Sequence, residues 1–224
     1  MSLPEGGRAM IDANEYFKAF LDEDNPKGLT MAILQRNITE GEDPLAIIKR
    51  GLLPALDRIG DQFSQGTLYI PELLLSGKMV KECLESLKSR FTFTGNQDLG
   101  TILLGTVKGD LHDIGKNLVA MIAEASGFRV VDIGVDVPSD GFLDAIKTHH
   151  PEVVGLSALL TTAMVEMRKT VGLIKSSGLK GGPKVIVGGA PVTQPFADSV
   201  GADLFGRDAV DGVIKIKAIM GITS

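Results

Sequence analysis

The run Gly109-Asp110-Leu111-His112-Asp113-Ile114-Gly115-Lys116-Asn117 holds the residues of this 224-residue chain best placed to do chemistry. An imidazole stands two residues after a carboxylate, and a glycine follows three residues after the imidazole. Such a histidine has the makings of a metal ligand. The carboxylate can accept the ring N–H that a metal does not use, which fixes the tautomer and raises the basicity of the other nitrogen. Alone, a loop histidine reads first as a surface residue; its setting argues for more. The run follows the apolar stretch Thr101-Ile102-Leu103-Leu104-Gly105-Thr106-Val107 and precedes a helical pattern. It therefore sits at the carboxyl end of a strand, where open α/β sheets bind their ligands. Asp113 reads as the N-cap of the following helix. Lys116 and Asn117 read equally as solvated first-turn residues or as ligand contacts.

The positioning elements come from two kinds of periodicity. Beyond the polar stretch 92–98, short apolar runs at 101–107, 129–132, 153–157, 184–187 and 202–205 alternate with amphipathic helices near 115–125, 139–148, 162–176, 193–200 and 209–220. Strict alternation implies a parallel sheet covered on both faces, with the flavodoxin-like strand order 2-1-3-4-5. Before Arg90 the apolar residues recur at helical spacing, which predicts helices over 13–22 and 27–39, a third through Leu45 to Phe63 and a fourth through Leu73 to Leu87. Pro54 lies inside the third pattern and is expected to kink it. The expected fold class is α/β: a four-helix bundle cap domain over 1–92, a linker over 93–99, and a five-stranded Rossmann-like domain over 100–224.

Further loops at the same sheet edge extend the site. They contain Ser157, Leu159 and Thr161 after the third strand, Gly188-Gly189 after the fourth, and Gly201-Ala202-Asp203 through Asp208-Ala209 around the fifth. In this order and context the motifs resemble the cobalamin-binding signature of the corrinoid proteins and of methionine synthase. The resemblance implies that His112 is the lower ligand of cobalt, with Asp110 as its proton-relay partner. The vitamin's own base would then leave the metal for a slot lined by Ser157, Leu159, Thr161, Gly188 and Gly189. Asp208 and Ala209, at a helix start, would lie near the tail's phosphate, which a helix N-terminus favours. Gly109, Leu111, Asp113 and Gly115 would line the corrin side of the loop.

The resemblance reaches the helical region too. It aligns Phe63, Ile70 and Leu73 with an apolar lid over the methyl group, although spacing alone makes them bundle core. One position departs: where methionine synthase completes a His-Asp-Ser relay with a serine, Ala163 stands, so the relay is expected to end on water or on Thr162. The implied cofactor is cobalamin, as methylcobalamin, cob(I)alamin or a related corrinoid. The implied role is a methyl carrier between a substrate-specific methyltransferase and a second methyltransferase, with a reductive activase as a further partner. A cobalamin-dependent sensor and the small subunit of an adenosylcobalamin mutase are the alternatives. A sensor would need an output domain, and a mutase subunit would lack the bundle.

Composition agrees with a globular protein. Hydrophobic residues make up 44% and charged residues 23%, and the net charge of −5 offers no basic footprint for nucleic acid. A lone cysteine, Cys83, excludes an internal disulfide and fits a reducing compartment. No signal-peptide pattern opens the chain and no apolar run is long enough to span a bilayer, so a cytoplasmic protein is expected. Cys83 reads as an inert packed thiol. His149, His150, Asp198 and Asp203 carry no expected role, the two aspartates reading as solvated loop charges.

Overall fold

Side-chain caps and prolines set the helix starts of the amino-terminal region. The structure, a computed structural model, describes residues 11–91, 99–179 and 181–222. It divides into two units, Met1–Phe91 and Thr92–Ser224. The expected linker falls at 93–99, of which 93–98 lie outside the described residues; the Leu99 amide donates to the Gly127 carbonyl of the second unit.

In the first unit, α1 (Ala13–Phe20) starts where Asp12 accepts from the Asn14 amide at 2.8 Å. Helix α2 (Pro26–Thr39) has Asn25 as its cap and a proline in its first turn, where a missing N–H is harmless. Helix α3 (Pro44–Ile47) is capped by Asp43 and runs through a π-helical segment, Ile48–Leu52, into α4 (Leu53–Ser64). The fourth run is α5 (Ile70–Lys88), with Glu72 reaching back to the Tyr69 amide. Pro54 therefore acts differently from the expected simple kink. Its ring would strike the carbonyl four residues back in a regular α-helix. The wider turn just before it, in which the Leu53 amide donates to the Ile48 carbonyl, absorbs the misfit. Tyr16, Phe20, Leu34, Ile48, Leu52, Ile59 and Leu87 form the packed interior. Cys83 belongs to it, and burial, reinforced by Glu82, pushes its thiol up to about 12. That agrees with an inert packed residue.

In the second unit β1 (Thr101–Thr106), β2 (Arg129–Asp132), β3 (Val153–Ser157), β4 (Lys184–Gly188) and β5 (Leu204–Gly206) form a parallel sheet ordered β2-β1-β3-β4-β5. The order expected from the alternating pattern is the one found. Leu103 of central β1 pairs with Val131 on one side and Val154 on the other. Helices α6 (Ile114–Ala125) and α10 (Ala209–Ile219) cover one face, over Ile102, Leu104, Ala123 and Ile216. Helices α7 (Ser139–His149), α8 (Met164–Ser176) and α9 (Gln194–Val200) cover the other, over Leu103, Phe142, Met167 and Val187.

Two of the boundaries that differ from expectation have clear local features. Strand β5 begins at Leu204 rather than 202, because Asp203 pairs with Val185 partly through its carboxylate: its amide donates to the Val185 carbonyl, and Oδ2 accepts from the Val185 amide at 2.7 Å. The helix expected from 162 opens as a 3-10 turn, Thr161–Ala163. No helix among the described residues is long and apolar enough to cross a membrane.

Candidate ligand site at the carboxyl edge of the sheet

The loop after β1 turns at Gly109, whose φ of +84° suits a residue without Cβ. It then buries Asp110 completely. Both carboxylate oxygens are engaged. Oδ1 lies 2.6 Å from His112 Nδ1 and also accepts from the His112 amide at 3.0 Å. Oδ2 accepts from the amides of Leu159 at 2.5 Å and Leu160 at 3.0 Å, in the loop after β3. Burial pushes the Asp110 carboxyl up, but the hydrogen bonds from His112, Leu160 and Leu159 outweigh it and hold the group below its ordinary value. An ionised carboxylate needs a donor, so Nδ1 carries a proton and Nε2 is the nitrogen left to face a ligand. The His112 side chain is 52% exposed. The outcome is an oriented imidazole whose free nitrogen suits a metal.

The relay expected beyond Asp110 takes another form. Its second oxygen accepts from two consecutive backbone amides rather than from the Thr162 hydroxyl, and Ala163 is buried. The amides of Leu159 and Leu160 were not foreseeable as donors, because a backbone N–H has no sequence signature.

Other residues of the loops sort as follows. Asp113 occupies the N-cap position of α6 without a side-chain cap hydrogen bond. Lys116 is not the solvated residue one reading expected: it is buried, and its ammonium pairs with Asp132 and with Asn117 Oδ1. Leu111 and Leu159 stand exposed, with Leu160 beside them, an apolar surface at the sheet edge. Ser157 is partly buried and Thr161 exposed. A Cβ at Gly115 would meet nothing within 4 Å.

The glycine pair has a tighter constraint than a ligand slot requires. A Cβ on Gly189 would fall 1.8 Å from the Ala158 carbonyl oxygen, and Gly189 has φ +127°. One on Gly188 would fall 3.1 Å from the Gly206 oxygen. The loops after β3 and β4 thus need Gly189 for their own approach, and β4 lies close to β5 at Gly188. At α10, Asp208 Oδ1 accepts from the Val210 and Asp211 amides, so the helix N-terminus expected to favour a phosphate already holds a carboxylate; Ala209 beside it is buried. Asp203 is likewise no solvated charge. Burial would raise its carboxyl, yet Lys175 and the Val185 amide hold it low. In the first unit Phe63 and Ile70 are exposed rather than core, with Leu73 half-buried; Tyr69 and Leu74 are exposed beside them in sequence.

The donor set itself constrains the metal. Among the described residues no group of three or more His, Cys, Asp or Glu side chains could hold a metal ion. One oriented imidazole without companion donors fits a metal that arrives already held by other ligands, as in a macrocycle.

Comparison with known proteins agrees. The B12 binding domain family matches residues 100–214, and a second family of the same description matches 27–88. The chain is 39% identical over 194 residues to trimethylamine corrinoid protein 1 of Methanosarcina mazei, covering 86% of this chain and 90% of that one. Its fold is similar to the monomethylamine corrinoid protein of Methanosarcina barkeri, with a TM-score of 0.82 at 26% identity over 93% of this chain and 97% of the other. It is also similar to a chain of the methanol:cobalamin methyltransferase complex MtaBC of Methanosarcina barkeri, with a TM-score of 0.53 at 27% identity, covering 94% of this chain and 80% of that one.

Proposed function

The chain belongs to the cobalamin-binding corrinoid proteins, and from that premise we propose that it carries methyl groups with His112 as the lower ligand of cobalt. When bound, the corrinoid supplies a metal that accepts a methyl group from one partner and yields it to another. The chain's own residues hold and tune that metal. His112 offers Nε2; Asp110 fixes the ring through Nδ1 and, being ionised, strengthens it as a donor. The Leu159 and Leu160 amides help keep Asp110 ionised, so it can hold the ring through Nδ1–H.

The supporting observation is the 2.6 Å contact between Asp110 Oδ1 and His112 Nδ1, beneath a half-exposed ring. The exposed leucines 111, 159 and 160 suit the apolar edge of a large flat cofactor. Phe63 and Ile70 leave apolar surface on the first unit that its own packing does not use. The partners are a substrate-specific methyltransferase, a second methyltransferase and a reductive activase. The donor class is a methylamine, in keeping with the relatives named for tri- and monomethylamine. A cytoplasmic setting fits the single, buried, free Cys83.

The test is methyl exchange. Protein reconstituted with cobalamin and reduced, then mixed with a methylamine and its methyltransferase, should change its visible spectrum to that of the methylated cofactor in proportion to the amine consumed. An unchanged spectrum with an active partner methyltransferase present would contradict the carrier role.

A further inference from the structure

The geometry points to Thr106 and Asp136 as positioning residues that fix the backbone of the 109–112 loop and thereby the direction in which His112 presents Nε2. The inference rests on the reading of His112 as the cobalt ligand and adds two residues that the motif does not contain. Thr106 ends β1 and is fully buried, and its hydroxyl donates to the His112 carbonyl at 2.9 Å. Asp136 lies in the loop after β2. Its Oδ1 accepts from the Gly109 amide at 2.7 Å, and its own amide donates to the Asp110 carbonyl at 3.0 Å.

The loop is therefore held at its start, its middle and its ligand residue, while the Asp110 side chain ties it to the loop after β3. The two positioning residues are themselves coupled, because the Val137 amide donates to the Thr106 carbonyl and the Thr106 amide to the Gly134 carbonyl. Asp136 holds φ at +55°, a left-handed conformation that costs any residue with a Cβ and that aspartate and asparagine tolerate best. A residue kept there must be retained by what it binds, and what it binds is the ligand loop. Side chains that orient a metal ligand from behind typically change metal affinity by about 10- to 100-fold when removed.

The experiment uses the full chain loaded with cobalamin and reduced to cobalt(II), and reads the nitrogen splitting of the electron-spin spectrum by the axial imidazole. Thr106→Val keeps shape and removes the hydroxyl; Thr106→Ser restores it. Asp136→Gly keeps the left-handed turn and removes the acceptor; Asp136→Asn keeps both. Thr106→Val and Asp136→Gly should each lose about tenfold in the ratio of imidazole-bound to unbound cobalt(II), while Thr106→Ser and Asp136→Asn should match wild type. Asp136 is exposed, so Asp136→Gly gives a folded variant to read even where Thr106→Val does not. Wild-type splitting in a folded Asp136→Gly and in a folded Thr106→Val would overturn the inference and leave the ligand role of His112 intact. A wild-type spectrum without protein-nitrogen splitting, identical to that of His112→Ala, would instead remove the ligand reading and this inference with it.

Discussion

Asp110 binds His112 twice through one oxygen, which lies 2.6 Å from the ring Nδ1 and 3.0 Å from the backbone amide of the same residue. Side chain and backbone of His112 are thus set by a single atom. Replacing Asp110 with Asn turns an amide NH₂ toward groups that are all donors. Cobalamin affinity should fall about 10- to 100-fold, and the fold should lose about 2 kcal/mol through buried amides left without a charged acceptor. Titration with cobalamin and urea melts of the apo protein check both; unchanged affinity would count against the pair's role.

Acid should loosen the α/β unit. Asp110 and Asp203 both ionise below their ordinary values in the folded chain. The unfolded chain therefore binds more protons in acid, and stability rises with pH in that range. Their contribution is fully present above the unfolded carboxylate value, about 3.9, and is lost as pH falls through the lower folded values. Urea midpoints measured from about pH 6 to about pH 2 should drop below about pH 4. Asp203→Asn should flatten that drop and cost about 1 kcal/mol at neutral pH, since Lys175 and the Val185 amide lose a charged partner.

Two glycines of the site should respond in opposite ways. At Gly189 a Cβ meets the Ala158 carbonyl oxygen at 1.8 Å with φ at +127°, so Gly189→Ala should destabilise the unit by more than about 2 kcal/mol whatever the ligand. At Gly115, in the first turn of α6, the added methyl meets open space. Gly115→Ala should leave the apo protein as stable or about 0.5 kcal/mol more stable, yet weaken cobalamin binding where the loop meets the corrin. Calorimetry with and without cobalamin separates the two; undiminished binding in the Gly115 variant would exclude that contact.

Lys116 is a buried ammonium held by Asp132 and Asn117. Asp132→Ala should cost about 2 kcal/mol, less than for a fully buried pair because Asp132 keeps partial contact with solvent. The double variant Lys116→Met, Asp132→Ala should recover most of that loss. Equal stability of the single and double variants would show that Lys116 is not constrained by the pair.

The sequence was most readable where regular structure imposes a period. Alternation of short apolar runs with helices pointed to the strand order, since a right-handed crossover leaves few arrangements for such a chain. Asp110 and His112 were recognisable because their spacing lets a carboxylate meet the imidazole. What escaped depends on groups or distances without a sequence period. The Leu159 and Leu160 amides, which replace the expected end of the relay, are backbone. Gly188 and Gly189 read as making room for a ligand, while the Ala158 carbonyl shows a demand from the chain itself. Lys116, in a first helical turn, read equally as solvated or as a ligand contact, and only the position of β2 brings Asp132 to it. Pro54 announced an irregularity; the π-helical form of that irregularity depended on neighbouring turns.

The nitrogen beneath cobalt decides the account. Protein grown with ¹⁵N-histidine, loaded with unlabelled cobalamin and reduced to cobalt(II), should show doublet splitting of the axial electron-spin lines, against a triplet for the unlabelled protein. A triplet in both samples, the mark of the vitamin's own base, or lines without nitrogen splitting, would contradict coordination by His112.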